Sequence, residues 1–396
     1  MILGPINGID CIAFVACLIP QLLYQLNPLL LLHVLAGVVP FLVFRLPYQL
    51  IKERLVTKKA KRSPFAQHAT FFQDVVVRCV RYAFAEIPAS VGRVFFSKWV
   101  SYPFFRFRLL RHGYLHCPMY YTEIVRPDFR GIWIADGPDS DPDIIIYYCH
   151  GGGFSMGSAY FYLEFLMAWA TRLKQSGFRN PAVFALEYTL VPDAQWPTQV
   201  KETVAGYTFL CETFGEGSAA QISVSGDSAG ATLVLSMLLH LEGHEQNPNN
   251  QRLSRPNLAI LLSPWTHLVS ELNRNTASDY LDKDSLHLYA RQYAGDAATT
   301  DGLISPGLSM SGWKKASPLE GYCIVYGAEE VFSPAIEETI AHMKNEGATV
   351  KACRQEASNH AWPVVNLFLG DSREERLSGL DTMTNFIVSS SPTPKM

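Results

Sequence analysis

From residue 120 onward, short apolar runs alternate with longer stretches in which apolar residues recur every three or four positions. The short runs are rich in β-branched and aromatic residues and predict eight strands. They lie at 120–125, 131–135, 143–149, 182–188, 221–225, 257–263, 322–327 and 348–354. The helical stretches lie at 160–176, 196–213, 228–242, 334–346 and 372–388. This alternation predicts an α/β protein with a mostly parallel sheet, and the closely spaced first three strands predict an antiparallel start.

The first 44 residues have a different pattern, because they are almost wholly apolar. Asp10 is their one charged residue, and Pro20, Pro28 and Pro40 interrupt the apolar run from Ile9 to Phe44. Residues 28–44 are the cleanest apolar piece, about 25 Å long as a helix, which is at the short end for crossing a bilayer. We predict a single-pass membrane anchor here, with a buried core hairpin as the alternative.

Positive charge is concentrated directly after the apolar segment. Residues 45–111 contain fourteen Lys and Arg against three acidic residues, so their net charge is 14 − 3 = +11, whereas the whole chain carries −3. Because basic residues collect on the cytosolic side of membrane segments, we expect the remainder of the chain in the cytosol, at the endoplasmic reticulum membrane. The aromatic residues among these charges fit a helical cap at the membrane surface. No RNA-binding signature accompanies them, and we expect no nucleic-acid partner.

Composition and pattern divide the chain into four predicted parts. These are an apolar anchor at 1–44, a basic and aromatic linker with a helical cap at 45–115, a catalytic domain at 116–390 and a tail at 391–396. Eight cysteines lie far apart, without a Cys-x-x-Cys pair, which argues against a zinc site or a disulfide framework. We therefore predict neither a metal nor another cofactor.

The strongest chemical signal lies between the fifth strand and the helix that follows it. A β-rich run meets Gly226-Asp227-Ser228-Ala229-Gly230, and an apolar helical run begins at once. Gly-x-Ser-x-Gly between a strand and a helix describes a nucleophile elbow, a turn so tight that only glycine fits at its flanks. Taken alone, the motif also fits a strand–helix connection in which the serine only caps the helix.

A glycine-rich turn follows the third predicted strand, at His150-Gly151-Gly152-Gly153. Consecutive glycines let the backbone approach a ligand closely. Together with the N–H of Ala229, the N–H groups of this turn can form an oxyanion hole.

An acid and a histidine follow the last two predicted strands. Glu329 and Glu330 come directly after strand seven, and His360 comes after strand eight. With Ser228 they give the order nucleophile, acid, histidine, which is the chain order of an α/β-hydrolase. In isolation each has a simpler interpretation, a surface acid or a packed histidine.

Taken together, these motifs resemble the hormone-sensitive-lipase family of α/β-hydrolases, the branch that carries both HGGG and GDSAG. The signatures are HGGGF at 150–154, EYTLVPDAQWP at 187–197, GDSAG at 226–230, SPW at 263–265 and NHAW at 359–362. The resemblance covers about residues 110–390 and implies an N-terminal helical cap, to which residues 266–305 contribute. The apolar N-terminus also resembles the membrane-anchored arylacetamide- and steryl-deacetylase-like members.

The resemblance implies a role for each candidate residue. Ser228 would be the nucleophile, His360 the base, and Glu330 the acid that orients it. We expect the neighbouring carboxylate to raise the pKa of His360 above its usual value of about 6.5. The family usually has Asp at the position of Glu330, which is third after Gly327, and a second Asp where this chain has Pro334.

The resemblance also implies a donor set for the oxyanion and a group of supporting residues. The donors would be the backbone N–H groups of Gly152, Gly153 and Ala229. Support would come from His150, Gly151 and Asp227, with His150 bracing the loop instead of reacting.

Three functions are compatible with the sequence. The first is a serine carboxylesterase or deacetylase that acts on a small lipophilic ester at a membrane. The second is an acyltransferase or thioester-releasing enzyme of a lipid or secondary-metabolite pathway, with the same triad and an acceptor other than water. The third is a non-catalytic ligand receptor, which an intact triad disfavours. The sequence leaves the choice between the first two open, and with it the oligomeric state.

Overall fold

A single sheet of eight strands occupies the centre of the protein, in a computed structural model that describes residues 1–215, 220–244 and 253–391. The strands are β1 (Tyr120–Val125), β2 (Arg130–Ala135), β3 (Ile144–Cys149), β4 (Pro181–Leu186), β5 (Gln221–Asp227), β6 (Ala259–Leu262), β7 (Tyr322–Gly327) and β8 (Val350–Gln355). All eight predicted strands are present, and no boundary differs from its prediction by more than two residues.

The strand order is β1-β2-β4-β3-β5-β6-β7-β8. β2 pairs antiparallel with both β1 and β4, and every pair from β4 through β3 to β8 is parallel. This is the predicted α/β-hydrolase fold, a mostly parallel sheet with an antiparallel edge. Because the carboxyl ends of the parallel strands meet at one edge, the loops after β3, β5, β7 and β8 meet there as well.

Helices cover both faces of the sheet. Before the sheet come α1 (Gly8–Gln25), α2 (Pro28–Val56), α3 (Pro64–His68), α4 (Phe71–Glu86), α5 (Ala89–Phe95) and α6 (Lys98–Arg111). Within the sheet region come α7 (Leu163–Gln175), α8 (Thr198–Phe214), α9 (Ala229–His244), α10 (Lys283–Ala294) and α11 (Trp313–Ala316). The last are α12 (Ser333–Asn345), α13 (Trp362–Leu369) and α14 (Arg373–Ser390).

The core consists of two apolar layers, one on each face of the sheet. β3 shows why both layers form, since all six of its residues are buried. A strand buried on both faces reads as an unbroken apolar run, as parallel sheets require. Trp265 lies fully buried in one layer and Trp169 in the other.

The apolar N-terminus forms two helices instead of one. α1 and α2 are both long and apolar enough to cross a membrane, by length and composition alone. The second helix continues past residue 44 to Val56, so the prediction of one span within 1–44 does not match the observed helix pattern. Asn27 separates the two helices, and its side chain caps α2 by accepting from the Leu29 N–H at 2.8 Å. Of the predicted tail at 391–396, all but Ser391 lies outside the described residues.

Candidate active site

The turn between β5 and α9 holds Ser228 in a strained conformation. Ser228 has φ = 52°, in the left-handed region that non-glycine residues rarely adopt. The flanking glycines are required by space, because a Cβ at Gly230 would lie 2.0 Å from the Cys149 carbonyl oxygen. A Cβ at Gly226 would lie 2.7 Å from the same oxygen. The geometry is that of the predicted nucleophile elbow.

Asp227 connects this turn to the glycine-rich loop after β3. Its Oδ1 accepts hydrogen bonds of 2.8 Å from both the Gly151 N–H and the Tyr148 hydroxyl. The Tyr162 hydroxyl donates to Oδ2 at 2.7 Å. Three donors therefore satisfy a fully buried carboxylate, and they fix the loop relative to Ser228.

His150 supports the same loop and lies too deep to react. Its ring stacks on Tyr188, with centroids 4.3 Å apart and planes 18° apart, and its Nδ1 is 2.8 Å from the Gly151 carbonyl. Burial lowers the pKa of His150 to about 4, so the ring is neutral at physiological pH. Its contacts agree with the bracing role that the sequence resemblance implies.

The backbone N–H groups of Gly152, Gly153 and Ala229 are the candidate oxyanion donors. In the described ranges, the N–H groups of Gly152, Gly153 and Ala229 donate no hydrogen bond. Gly152 has φ = 118°, and a Cβ there would lie 2.1 Å from the Met156 carbonyl oxygen, so only glycine can hold this loop shape. Free N–H groups at a helix N-terminus are suited to stabilise a developing oxyanion.

The acid and histidine meet at the same edge of the sheet. Glu330 Oε2 lies 3.1 Å from His360 Nδ1, and both side chains are buried. Glu329 instead is half-buried, and its backbone N–H bonds to the Ser358 carbonyl at 3.0 Å. The glutamate beside the imidazole is therefore the one expected from the register after Gly327.

Burial controls the pKa values of this pair. It raises the pKa of the Glu330 carboxyl well above the usual value, because a charged carboxylate is poorly solvated there. It lowers the pKa of His360 for the same reason, against the opposing effect of Asp279 and Asp227. The expectation that a neighbouring carboxylate would raise the pKa of His360 is therefore wrong in direction, since burial outweighs the charges nearby.

The hydroxyl of Ser228 is the remaining candidate group. The elbow follows β5 and the Glu330–His360 pair follows β7 and β8, at the same edge of the sheet with β6 between them, and the charge of Asp227 acts on the imidazole. Within the part of the chain that the structure describes, the Ser228 hydroxyl makes no hydrogen bond. The structure thus joins the acid to the histidine and leaves the serine oxygen free.

A second buried carboxylate, Asp279, was not identified from the sequence. Its Oδ1 accepts from the His360 backbone N–H at 3.0 Å, and its Oδ2 accepts from the Val331 N–H at 2.8 Å. The Tyr280 N–H adds a third bond of 2.8 Å to Oδ1. Asp279 therefore ties the loop of Glu330 to the loop of His360. No sequence signal distinguished it, because it lies in the 266–305 segment that was assigned to the cap.

Part of the 266–305 segment packs on the glycine-rich loop. Tyr289 of α10 covers the glycine-rich loop, with its Cδ2 3.0 Å from where a Cβ of Gly153 would be. Tyr293 of the same helix stacks on Phe154, with centroids 3.7 Å apart and planes 10° apart. α10 thus packs aromatic side chains against the glycine-rich loop. In the described residues, no group of three or more His, Cys, Asp or Glu side chains is arranged to hold a metal ion.

Comparison with known proteins agrees with this geometry. The profile of a family described as the α/β-hydrolase fold matches residues 146–364. An acetyl esterase of Salmonella schwarzengrund (strain CVM19633) is 30% identical over 164 residues, which cover 39% of this chain and 46% of the esterase. Steryl acetyl hydrolase 1 of Saccharomyces cerevisiae is 23% identical over 228 residues, which cover 53% of this chain and 50% of the hydrolase. The chain thus spans about half the length of these curated relatives.

Solved structures share the same fold. A hormone-sensitive lipase from a metagenome library superposes with a TM-score of 0.57 at 24% identity, over 70% of this chain and 87% of the other. Carboxyl esterase 2 of the mycorrhizal fungus Tuber melanosporum gives 0.55 at 20% identity, over 69% and 86%. At these identities the likeness establishes the fold.

Proposed function

The chain belongs to the α/β-hydrolase fold family, and we propose from this premise that it is a serine esterase acting on a small lipophilic ester. The observation that carries the proposal is the hydrogen-bonded pair of Glu330 and His360 beside the strained turn of Ser228. In an esterase, this arrangement activates a serine hydroxyl for attack on an ester carbonyl.

The proposed reaction has two steps. The Ser228 oxygen attacks the ester carbonyl while His360 Nε2 takes its proton, and the imidazolium then gives that proton to the leaving alcohol. Water attacks the acyl-enzyme with the help of the same imidazole, and the acid is released. Glu330 holds His360 in the tautomer whose Nε2 is free, and it stabilises the charged ring.

The oxyanion of each tetrahedral intermediate would be held by the backbone. We assign this role to the unbonded N–H groups of Gly152, Gly153 and Ala229. Losing one such donor typically costs about 3 kcal/mol of transition-state stabilisation. The contacts of His150, Gly151 and Asp227 keep the donors in place, and none of these steps calls for a metal or an organic cofactor.

For the substrate class, we propose an acetyl or other short acyl ester of a lipophilic alcohol. The relatives named acetyl esterase and steryl acetyl hydrolase favour a short acyl group. The name steryl acetyl hydrolase also favours an apolar alcohol. The apolar helices α1 and α2 and the basic residues after them favour action at a membrane, with the hydrolase on its cytosolic side.

The test is turnover of p-nitrophenyl esters from acetyl to palmitoyl, with Ser228→Ala as the inactive control. We expect the highest turnover with short acyl groups, and covalent labelling of wild type but not the variant by an organophosphonate. Labelling at another residue, or turnover that survives Ser228→Ala, would refute the assignment of the nucleophile. If an added alcohol accepts the acyl group faster than water does, the acyltransferase alternative is correct and hydrolysis is not the main reaction.

A further inference from the structure

α1 is packed along the hydrolase instead of projecting from it. Asp10 Oδ2 lies 3.2 Å from Arg108 Nη1, and the Phe14 ring packs edge-on against Phe104, with centroids 5.1 Å apart. Asp10 and Phe14 are one helical turn apart on α1, and their partners are one turn apart on α6 in the reverse order. α1 and α6 therefore lie side by side and antiparallel.

α6 is itself an integral part of the hydrolase. Arg108 is fully buried, and it also pairs with Glu164 of α7 at 2.6 Å. Val100 and Leu109 of α6 are fully buried as well. α1 is therefore fixed to the body of the protein through a helix that cannot leave it.

α2 is attached to the hydrolase through its C-terminal half. Phe41 is buried and stacks on Tyr82 of α4, with centroids 4.0 Å apart and planes 12° apart. Further along, Arg54 pairs with Asp74 at 2.8 Å and donates to the Ala69 carbonyl, also at 2.8 Å. The two helices thus form a hairpin that contacts the hydrolase along both arms.

Between residues 9 and 43, one side of each hairpin helix is lined by exposed apolar side chains. On α1 they are Ile9, Ile12, Val15, Ile19 and Leu23, and on α2 they are Leu29, Leu32, Leu35, Val39, Leu42 and Val43. Each of them is at least 45% exposed. The spacing of three and four residues puts each set on one side of its helix, and the only charge up to residue 44, Asp10, is buried. We call this surface the apolar face.

We propose that the apolar face lies in the plane of a lipid bilayer, with the Leu26–Asn27 bend on the same side of the membrane as the hydrolase. A helix with one apolar side and a packed opposite side enters the boundary between head groups and acyl chains. If α1 crossed the bilayer instead, the attached α6 would carry Lys98, Arg106 and Arg111 into the hydrocarbon, which strongly disfavours charge.

The charge next to the apolar face fits a bilayer better than it fits a second protein copy. Exposed basic residues follow directly along the chain, namely Arg45, Lys52, Lys58, Lys59 and Lys61. Such residues at the edge of an apolar surface attract anionic head groups. A symmetric dimer would bury the same apolar face, but up to residue 44 that segment offers these charges no exposed acidic partner, because Asp10 is buried.

Vesicle flotation tests the surface without any reference to ester hydrolysis, so this inference and the proposed activity can fail separately. We expect the full-length protein to float with phosphatidylcholine vesicles, and more completely when phosphatidylserine is included. Ile12→Lys and Leu32→Lys should each lower the floating fraction at least about threefold. The matched control is Leu319→Lys, because Leu319 is 69% exposed and far along the chain from the apolar face. Thermal unfolding of each variant confirms that it is folded.

Thiol labelling tests the orientation. Sealed membranes from expressing cells are treated with a membrane-impermeant maleimide, intact or opened with detergent, and the labelled peptides are identified by mass spectrometry. Asn27→Cys reports the bend and Leu319→Cys the hydrolase. We expect the ratio of labelling in intact to opened membranes to agree within about twofold for the two positions.

Four outcomes would overturn the proposal. In flotation, the first is that both Lys variants float as well as the wild type. The second is that the protein forms a dimer and does not float, which would assign the apolar face to a second copy. In labelling, the third is that Asn27→Cys reacts only after the membranes are opened with detergent, whereas Leu319→Cys reacts in intact membranes. This result would establish that the hairpin crosses the membrane. Absence of labelling at Asn27→Cys in both states would put the bend in the hydrocarbon.

Discussion

Two neighbouring glutamates follow β7, and only one of them reaches the imidazole. Glu330 Oε2 lies 3.1 Å from His360 Nδ1, whereas Glu329 remains half-buried. Both residues lie in the turn after β7, in which the Glu330 N–H donates to the Gly327 carbonyl at 3.5 Å, so the alternation of side chains along a strand does not account for the difference. The extra methylene of glutamate, compared with the aspartate usual in similar proteins, is accommodated without loss of the contact.

Replacing each of these two glutamates by glutamine gives a matched pair of variants. We expect Glu330→Gln to lower turnover by about 10⁴-fold, because an amide cannot stabilise the imidazolium and favours the wrong tautomer. Glu329→Gln should change the rate by no more than a few-fold. Steady-state kinetics with a p-nitrophenyl ester measure both, and the reverse ranking would show that the acid is misassigned.

The acid limb of the pH profile reports on His360. The base must be neutral, so activity should be present above its pKa and lost as pH falls through it. Because burial lowers that pKa, half-maximal kcat/KM is expected below the usual value of about pH 6.5. A limb centred above pH 7 would contradict this prediction.

Asp279 should affect both the position and the charge of His360. Its carboxylate holds the backbone of His360 and Val331 and stabilises the imidazolium electrostatically. We expect Asp279→Asn to lower turnover by about 10- to 100-fold and to move the acid limb to lower pH. Asp296→Asn, an exposed position in the same segment, is the control. A lower rate with an unmoved limb would limit Asp279 to a structural role.

The sequence was informative about residues whose role depends on near neighbours. The elbow glycines, Gly226 and Gly230, were predictable because they belong to one contiguous five-residue motif, although the atom that excludes a Cβ there, the Cys149 carbonyl oxygen, lies on another strand. Asp279 was not, since its partner His360 lies 81 residues away and no local pattern marks a carboxylate that accepts from backbone N–H groups. The direction of the His360 pKa was missed because burial, unlike a neighbouring charge, cannot be read from a motif.

At the scale of elements, the strands were predictable and the N-terminal helices only partly so. A strand such as β3, apolar at every position, allows little other interpretation. The break between α1 and α2 was also marked, because Asn27 followed by Pro28 is a helix N-cap with proline at the first helical position. That signal was outweighed by the uninterrupted apolar composition.

The contact between α1, α6 and α7 depends on one buried charge cluster. Arg108 lies between the carboxylates of Asp10 and Glu164. Arg108→Met would leave Glu164 without its partner in a buried position, so we expect a loss of about 3–5 kcal/mol in the free energy of unfolding. Arg106→Met, on the same helix with one long hydrogen bond at 3.3 Å, should change it by less than about 1 kcal/mol. Chemical denaturation measures both, and equal losses would contradict the assignment.

At the scale of the whole molecule, the N-terminal segment is a part of the fold and cannot be removed as an independent anchor. Deletion of residues 1–44 would take away Asp10 and the buried Leu3 and expose the α6 surface beneath them. We expect aggregation or a clearly lower Tm, measured by gel filtration and thermal unfolding. Ile12→Lys, which keeps these contacts, should stay folded. A deletion variant that is monomeric with an unchanged Tm would show that the segment is dispensable.

The docking of residues near the N-terminus also sets an order of events during synthesis. The Ile6 N–H donates to the Phe368 carbonyl at 2.9 Å, and Arg376 bonds to the Leu3 carbonyl. At 5–20 residues per second, roughly 20 to 70 seconds separate the emergence of these partners from the ribosome. Throughout that interval the residues before α1 lack the partners that hold them in the finished protein. The hairpin meets its own partners on α4 and α6 much earlier, so it can dock on them before the residues that precede it are fastened.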